Sequence, residues 1–410
     1  MKIAALSGIR VLDLSRVLAG PLCAQYLADM GAEVIKVEDT GQGDESRGWP
    51  VLRISEDGDV TSAVYLSANR NKRALSVDLK RPEGRVVLDR LVASADVVIE
   101  SFAPGVAKRL GVDAQRLCAQ HPDLIHCSIT GFGTVGPMSH GKGYVLILQA
   151  FTGMLSITGE PGSPPARSPF SPVDQGTGLH ALIGILAALM QRTKTGRGCS
   201  VEASLLDTAT GFLGYFLQNL WETGQEPEKV GVGHAGLCPY GIFDTADKQI
   251  IIGVANDKLW RSFCEVAGLT GAPELSELST TAQRVQNRVL TESLVGRVLR
   301  TRPRAHWFSA LDEVGIPCSP VHSLGEFAEH PHAQASGMLL AYEHPHLGTV
   351  RGVSQPLRFD GQRSEVWRHA PAQGEHTEEL LEESGFSADE VTALIAQGVV
   401  RTAQVRTATT

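Results

Sequence analysis

Two short apolar runs flanking one helical stretch constrain this chain most. Ile9-Arg10-Val11-Leu12-Asp13-Leu14 reads as a strand, Pro21 opens a helical pattern through Leu22, Tyr26 and Leu27 that Gly31 stops, and Glu33-Val34-Ile35-Lys36-Val37-Glu38 reads as a second strand. Strand, helix, strand within about thirty residues is a βαβ unit, which requires parallel pairing and a right-handed crossover. The pattern continues downstream. Ala74 to Leu79 is strand-like, Pro82 starts a helix through Leu88 and Leu91, Asp96 to Glu100 looks like a buried strand, and Leu124 to Thr130 adds another. The expectation is an α/β fold with a parallel sheet.

A Gly/Pro/Ser-rich stretch, Gly159 to Pro172, precedes a long apolar helix that begins near Gly176 and ends by Gly196-Arg197-Gly198. Beyond Gly224 the texture changes: Gly241 to Asp244 and Gln249 to Val254 flank a turn at Ala246-Asp247-Lys248, and helical patterns follow around Trp260 and Val289. We divide the chain into 1–224, a smaller α+β domain 225–325, and 326–410, the last closing on a capped helix at Ser387-Ala388-Asp389-Glu390. With 410 residues, 42% hydrophobic and 20% charged, the chain can bury a sizeable core, and disorder is excluded as its main state. The net charge of −8 comes with scattered basic residues, so neither a nucleic-acid nor a membrane surface is expected. The longest apolar run, Leu179 to Met190, is short of the ~20 residues of a spanning helix, and no secretory pattern opens the chain, so a cytoplasmic protein is expected. Seven widely spaced cysteines and thirteen histidines without ligand spacing suggest no metal site. His330, His332, His344 and His346 fall in a Pro-interrupted segment and read as solvent-exposed.

In an open parallel sheet ligands bind beyond the C-terminal strand ends, which directs attention to Ser15-Arg16-Val17-Leu18-Ala19-Gly20. The lone Gly20 does not make a G-x-G-x-x-G loop, so a nicotinamide or flavin oxidoreductase is disfavoured, and no G-x-S-x-G elbow supports a serine hydrolase. Asp174, in Pro172-Val173-Asp174-Gln175-Gly176-Thr177-Gly178, is the most suggestive carboxylate. A plain N-cap is its simplest reading; the positive end of the helix would favour the ionised form, and the nearby glycines would leave room for a ligand. Lys72-Arg73, Arg109 and Lys142 read individually as solvated charges, and together as a lining for a phosphate-bearing ligand.

These residues resemble the class III CoA-transferases, the CaiB/BaiF-like family of formyl-CoA:oxalate transferase and carnitine CoA-transferase. The resemblance is carried nearly end to end by Val11-Leu12-Asp13-Leu14 through Ala19-Gly20-Pro21, Gly31 to Glu38, Gly43-Asp44 with Arg47-Gly48-Trp49, Asn71-Lys72-Arg73, Ser101 to Gly105, Gly131-Phe132-Gly133, the Asp174 segment, Lys194 to Gly198, Gly315-Ile316-Pro317 and Gly374 to Thr377. It implies a Rossmann-like large domain made from both chain ends, a small domain between them, and an interlocked homodimer. It also implies that Asp174 attacks an acyl-CoA thioester, that Val17, Ala19, Leu79, Lys80, Phe102, Arg109 and Lys142 bind CoA, and that coenzyme A serves as substrate with no permanently bound cofactor.

Departures from the family pattern are Leu18 for a glutamine, Asp39 for an arginine, Ser101 for an asparagine and Val145 for an acidic residue. Arg47, Trp49 and Tyr144 are the candidate substrate residues, and Arg47, Arg70 and Arg167 are candidates to hold a second carboxylate, which makes succinyl-CoA and a small dicarboxylate the expected pair. Two alternatives stay open. An acyl-CoA racemase on the same fold would need a His-Asp base pair where this chain has Tyr144-Val145, and a catalytically idle CoA-binding paralogue would have no use for Asp174.

Overall fold

The computed structural model describes residues 3–54 and 60–403. They group into two units by contact, one of residues 1–152, 168–214 and 331–410 and the other of residues 153–167 and 215–330. The first is organised by a seven-stranded sheet. Six strands, β1 (Arg10–Asp13), β2 (Glu33–Glu38), β3 (Lys72–Val77), β4 (Val97–Glu100), β5 (Ile125–Thr130) and β6 (Ser200–Ser204), are parallel, and β7 (Val400–Arg401) pairs antiparallel with β3. In these labels the spatial order is β7-β3-β2-β1-β4-β5-β6. Strand order therefore reverses between β1 and β4, the doubly wound arrangement that opens a crevice beyond their C-terminal ends.

Local sequence explains the elements. Helix α1 (Ala19–Asp29) carries β1 to β2 and ends before Gly31, whose φ is +102° and whose Cβ would stand 2.3 Å from the Ile3 carbonyl oxygen. Helix α2 (Pro82–Val92) has its proline in the first turn, as its sequence suggests. The core under the sheet joins Leu12, Ile35, Leu75 and Val98 to Leu88 and Leu91 of α2 and to Leu380, Leu381 and Leu394 near the C-terminus. Both chain ends thus contribute to one apolar cluster. The C-terminal helix Ala388–Ala396 has the expected capping box, with Ser387 and Glu390 bonding each other's backbone N–H.

Helix α3 (Pro172–Thr195) has 24 residues, longer than the Leu179–Met190 run suggests, and by length and composition it would reach across a bilayer. Half of its apolar window is buried within the protein, as in a core helix. Its glycines make that burial possible: a Cβ on Gly178 would lie 2.5 Å from the Ala19 carbonyl oxygen, and one on Gly184 2.6 Å from Val201 Cγ1. The helix is thereby seated against α1 and β6.

In the second unit, Tyr240–Asp244 and Gln249–Gly253 form the expected hairpin, and Cys318–Pro320 adds a third antiparallel strand. Its core packs Trp260, Phe263, Leu294, Leu299, Trp307 and Leu311. Segment 153–167 joins this unit because Lys229 Nζ donates to the carbonyls of Ser163 and Pro164, 2.7 Å each, and Gly231 N–H to that of Gly159.

Candidate active site

Beneath the C-terminal ends of the central strands lie two buried ion pairs. Lys72 Nζ on β3 donates to Asp13 Oδ2 on β1 at 2.8 Å, and Lys36 Nζ on β2 donates to Asp44 Oδ2 at 2.8 Å. All four side chains are buried, so each charge needs its partner. Burial opposes ionisation of Asp13 and Asp44, but the lysine charges outweigh it and hold both carboxyls below their usual range. Burial dominates for Lys72, with Lys36 adding repulsion against the opposing pull of Asp13, and its pKa falls to about 8.

The pairs fix the turn between β1 and α1. Lys36 Nζ also reaches the Ser15 carbonyl at 2.5 Å, the Ser15 backbone N–H donates to Asp13 at 3.1 Å, and the Ser15 hydroxyl donates to the same oxygen. Gly20 follows because a Cβ there would overlap Ser15 Cβ at 2.2 Å. Val17 adopts φ +70°, which a β-branched residue rarely does, and its N–H points to the Asp44 carboxylate at 3.2 Å.

The residues expected to bind CoA all follow strands of this sheet in the chain. Val17 and Ala19 lie after β1, Leu79 and Lys80 after β3, Phe102 and Arg109 after β4, and Lys142 after β5. Lys80, Arg109 and Lys142 are exposed cations, whereas Leu79 joins the apolar core and Phe102 packs at its border. Sequence reasoning passed over Arg16. Its N–H donates to Ser101 Oγ at 3.0 Å, and its guanidinium lies 5.5 Å from the Phe102 ring centre and 4.0 Å from Asp39. Only its place in the first turn could have signalled it.

Asp174 lies inside the first turn of α3, three residues after the N-cap Ser171, so it is not itself the cap. That position favours the carboxylate, yet burial prevails and raises its pKa to about 6. At neutral pH such a group is mostly ionised and poorly solvated, which suits a nucleophile. The glycines beside it serve packing rather than ligand access: a Cβ on Gly176 would meet Phe212 Cζ at 2.4 Å and Thr208 Cγ2 at 2.9 Å. Tyr144 is exposed at the start of helix Val145–Phe151, and Trp49, 40% exposed, follows the short helix Glu45–Gly48.

Two of the arginines expected to hold a substrate carboxylate are already occupied. Arg47 is buried, grips Glu38 with two hydrogen bonds, and also donates to Tyr65 Oη at 2.6 Å and the Pro371 carbonyl at 3.1 Å. Arg70 is likewise buried and paired with both oxygens of Asp29. Arg167 is exposed on the second unit. His344, read as exposed, is buried and faces the Ala370 carbonyl at 3.1 Å, because strand pairing of Leu339–His344 with Gly348–Val353 turns it inward. Among the described residues, no three His, Cys, Asp or Glu side chains are grouped to hold a metal. An open cavity of about 530 Å³, lined by Gln42, Asp44, Glu45, Arg47, Thr61 and Gln373 among others, adjoins the Lys36–Asp44 pair on the side of the Glu45–Gly48 helix.

The large unit thus combines a doubly wound sheet, an ionic frame under its first turn and a half-buried aspartate at a helix start. Residues 6–377 match the model of CoA-transferase family III. The chain is 36% identical over 380 residues to a succinate–glutarate CoA-transferase of Agrobacterium fabrum, covering 92% of this chain and 95% of that one. It is 32% identical to a human succinyl-CoA:glutarate CoA-transferase, covering 92% of this chain and 85% of the relative. A CaiB/BaiF family protein from Brucella suis superposes with a TM-score of 0.84 at 33% identity, over 94% of this chain and all of that one. The chain belongs to CoA-transferase family III and is an enzyme that transfers CoA between carboxylic acids, with CoA thioesters as substrates.

Proposed function

We propose that the enzyme moves CoA from succinyl-CoA to a small dicarboxylate through covalent intermediates on Asp174. The observation that carries this reading is the burial of the Asp174 carboxylate at the start of α3, with its pKa raised to about 6. The names of the similar enzymes from Agrobacterium and human support the donor and the class of acceptor. The ionised Asp174 attacks the thioester carbonyl, the C–S bond breaks, and CoA departs as thiolate, leaving a succinyl-aspartyl mixed anhydride. The thiolate then attacks the aspartyl carbonyl, releasing succinate and leaving an aspartyl-CoA thioester. An acceptor carboxylate repeats these two steps in reverse, so no proton is gained or lost overall.

The CoA moiety is assigned to Val17, Ala19, Leu79, Lys80, Phe102, Arg109 and Lys142, whose cations suit its phosphates. Arg47 and Arg70 already pair with Glu38 and Asp29, which argues against them as the carboxylate receptors. We assign a homodimer, interlocked as in the resembling family and working in the cytoplasm. Exposed Leu179, Ile183 and Met190 along α3 and Leu146, Ile147 and Phe151 on helix Val145–Phe151 offer apolar surface for the second copy. Racemisation is disfavoured because Tyr144-Val145 supplies no base pair. A matrix of acyl-CoA donors against free acids, read by mass spectrometry for new thioesters, tests the reading. Succinyl-CoA with a dicarboxylate should give the strongest exchange, and exchange confined to monocarboxylates would refute the substrate class.

A further inference from the structure

Three hydrogen-bonded links lead from the turn assigned to CoA to a residue expected at the substrate site. Val17 N–H donates to the Asp44 carboxylate at 3.2 Å, and that carboxylate accepts from Ser46 N at 3.0 Å and Ser46 Oγ at 2.8 Å. The Ser46 carbonyl in turn accepts from Trp49 N at 3.2 Å and from Ser62 Oγ at 2.5 Å. Lys36 neutralises Asp44 and also holds the Ser15 carbonyl, so the same ammonium fixes the residue two places before Val17. Asp44, Ser46 and Lys36 are buried, while Trp49 is 40% exposed at the end of the chain of contacts.

We propose that Asp44 is a positioning residue for CoA transfer, tying the CoA-binding turn at Val17 to the Trp49 segment so that occupation of the one sets the placement of the other. The geometry requires both faces of the carboxylate. A group that merely capped the helix Glu45–Gly48 would need only the Ser46 bonds, and one that merely neutralised Lys36 would need neither Val17 nor Ser46. Val17 has the left-handed backbone that a β-branched residue resists, so its conformation depends on the acceptor waiting for its N–H. The inference rests on the assignment of the CoA site to this turn.

The test compares wild type with Asp44→Asn and Ser46→Ala, reading free CoA affinity by calorimetry, folding by thermal melting, and Trp49 emission on CoA addition as the difference from matched Trp49→Phe proteins. Wild type should bind CoA with a change in Trp49 emission. Asp44→Asn should weaken CoA about tenfold, as for a lost charge-assisted bond, and abolish the Trp49 response even at saturating CoA. Ser46→Ala removes only a hydroxyl, and it decides the matter if Asp44→Asn does not fold. It should lower the Trp49 response by about half or more while shifting CoA affinity less than about threefold. CoA binding with a full Trp49 response in these variants, or with none in wild type, overturns the inference and leaves the CoA site standing. Failure of wild type to bind CoA overturns the site assignment and the inference with it.

Discussion

Arg47 Nε donates to Glu38 Oε1 at 2.8 Å and Arg47 Nη2 to Glu38 Oε2 at 2.7 Å, with the guanidinium 3.7 Å from the centre of the Tyr65 ring. This forked pair belongs to the frame of the large unit. Arg47→Ala should therefore destabilise the protein by about 3 kcal/mol or more, because it strands a buried carboxylate. Urea unfolding measures the loss. A variant of wild-type stability that fails only in acceptor recognition would restore Arg47 to the substrate site.

A nucleophilic Asp174 must be ionised, and its pKa of about 6 sets an acid limb. The rate of the first half-reaction should fall tenfold per pH unit below that value and level off above pH 7. Stop-flow formation of succinate from succinyl-CoA reads this directly.

The same shift has a stability consequence of definite sign. In the folded protein Asp174 keeps its proton up to about pH 6, whereas the ordinary value is 3.8, so the native state loses stability as pH rises through that window. Asp174→Asn removes the penalty and should be more stable than wild type by up to about 2 kcal/mol at pH 7.5, with the difference vanishing by about pH 4. Paired denaturation curves at the two pH values check it.

The central βαβ unit and the starts of α2 and the C-terminal helix were legible because their signals are local: an apolar period, a proline in the first turn, a serine three residues before a glutamate. Strand β6 was not, since Ser200–Ser204 alternates poorly and is buried only at Ala203 and Ser204, and β7 is two residues long. Asp174 stood out by its place at a helix start. The roles of Arg47 and Arg70 were hidden because their partners, Glu38 and Asp29, come from a strand and a helix that only the folded chain brings alongside. The glycines near Asp174 showed a need for space without showing that Phe212, Thr208 and Ala19 occupy it.

That space is the basis of a further prediction. Gly178→Ala would press its methyl against the Ala19 carbonyl, moving α3 away from the turn assigned to CoA. We expect about 1–3 kcal/mol of destabilisation and a larger loss of kcat/KM for acyl-CoA than for an equally destabilising substitution in the second unit. Melting and steady-state kinetics on both variants separate the effects.

The covalent role of Asp174 is most directly tested by trapping. The enzyme is incubated with succinyl-CoA, quenched with hydroxylamine and digested, and its peptides are sequenced by mass spectrometry. A hydroxamate should form on Asp174 only in the presence of acyl-CoA and be absent from Asp174→Ala, which should transfer no CoA. Transfer at the wild-type rate by Asp174→Ala, or a hydroxamate on another carboxylate with Asp174 untouched, would contradict it.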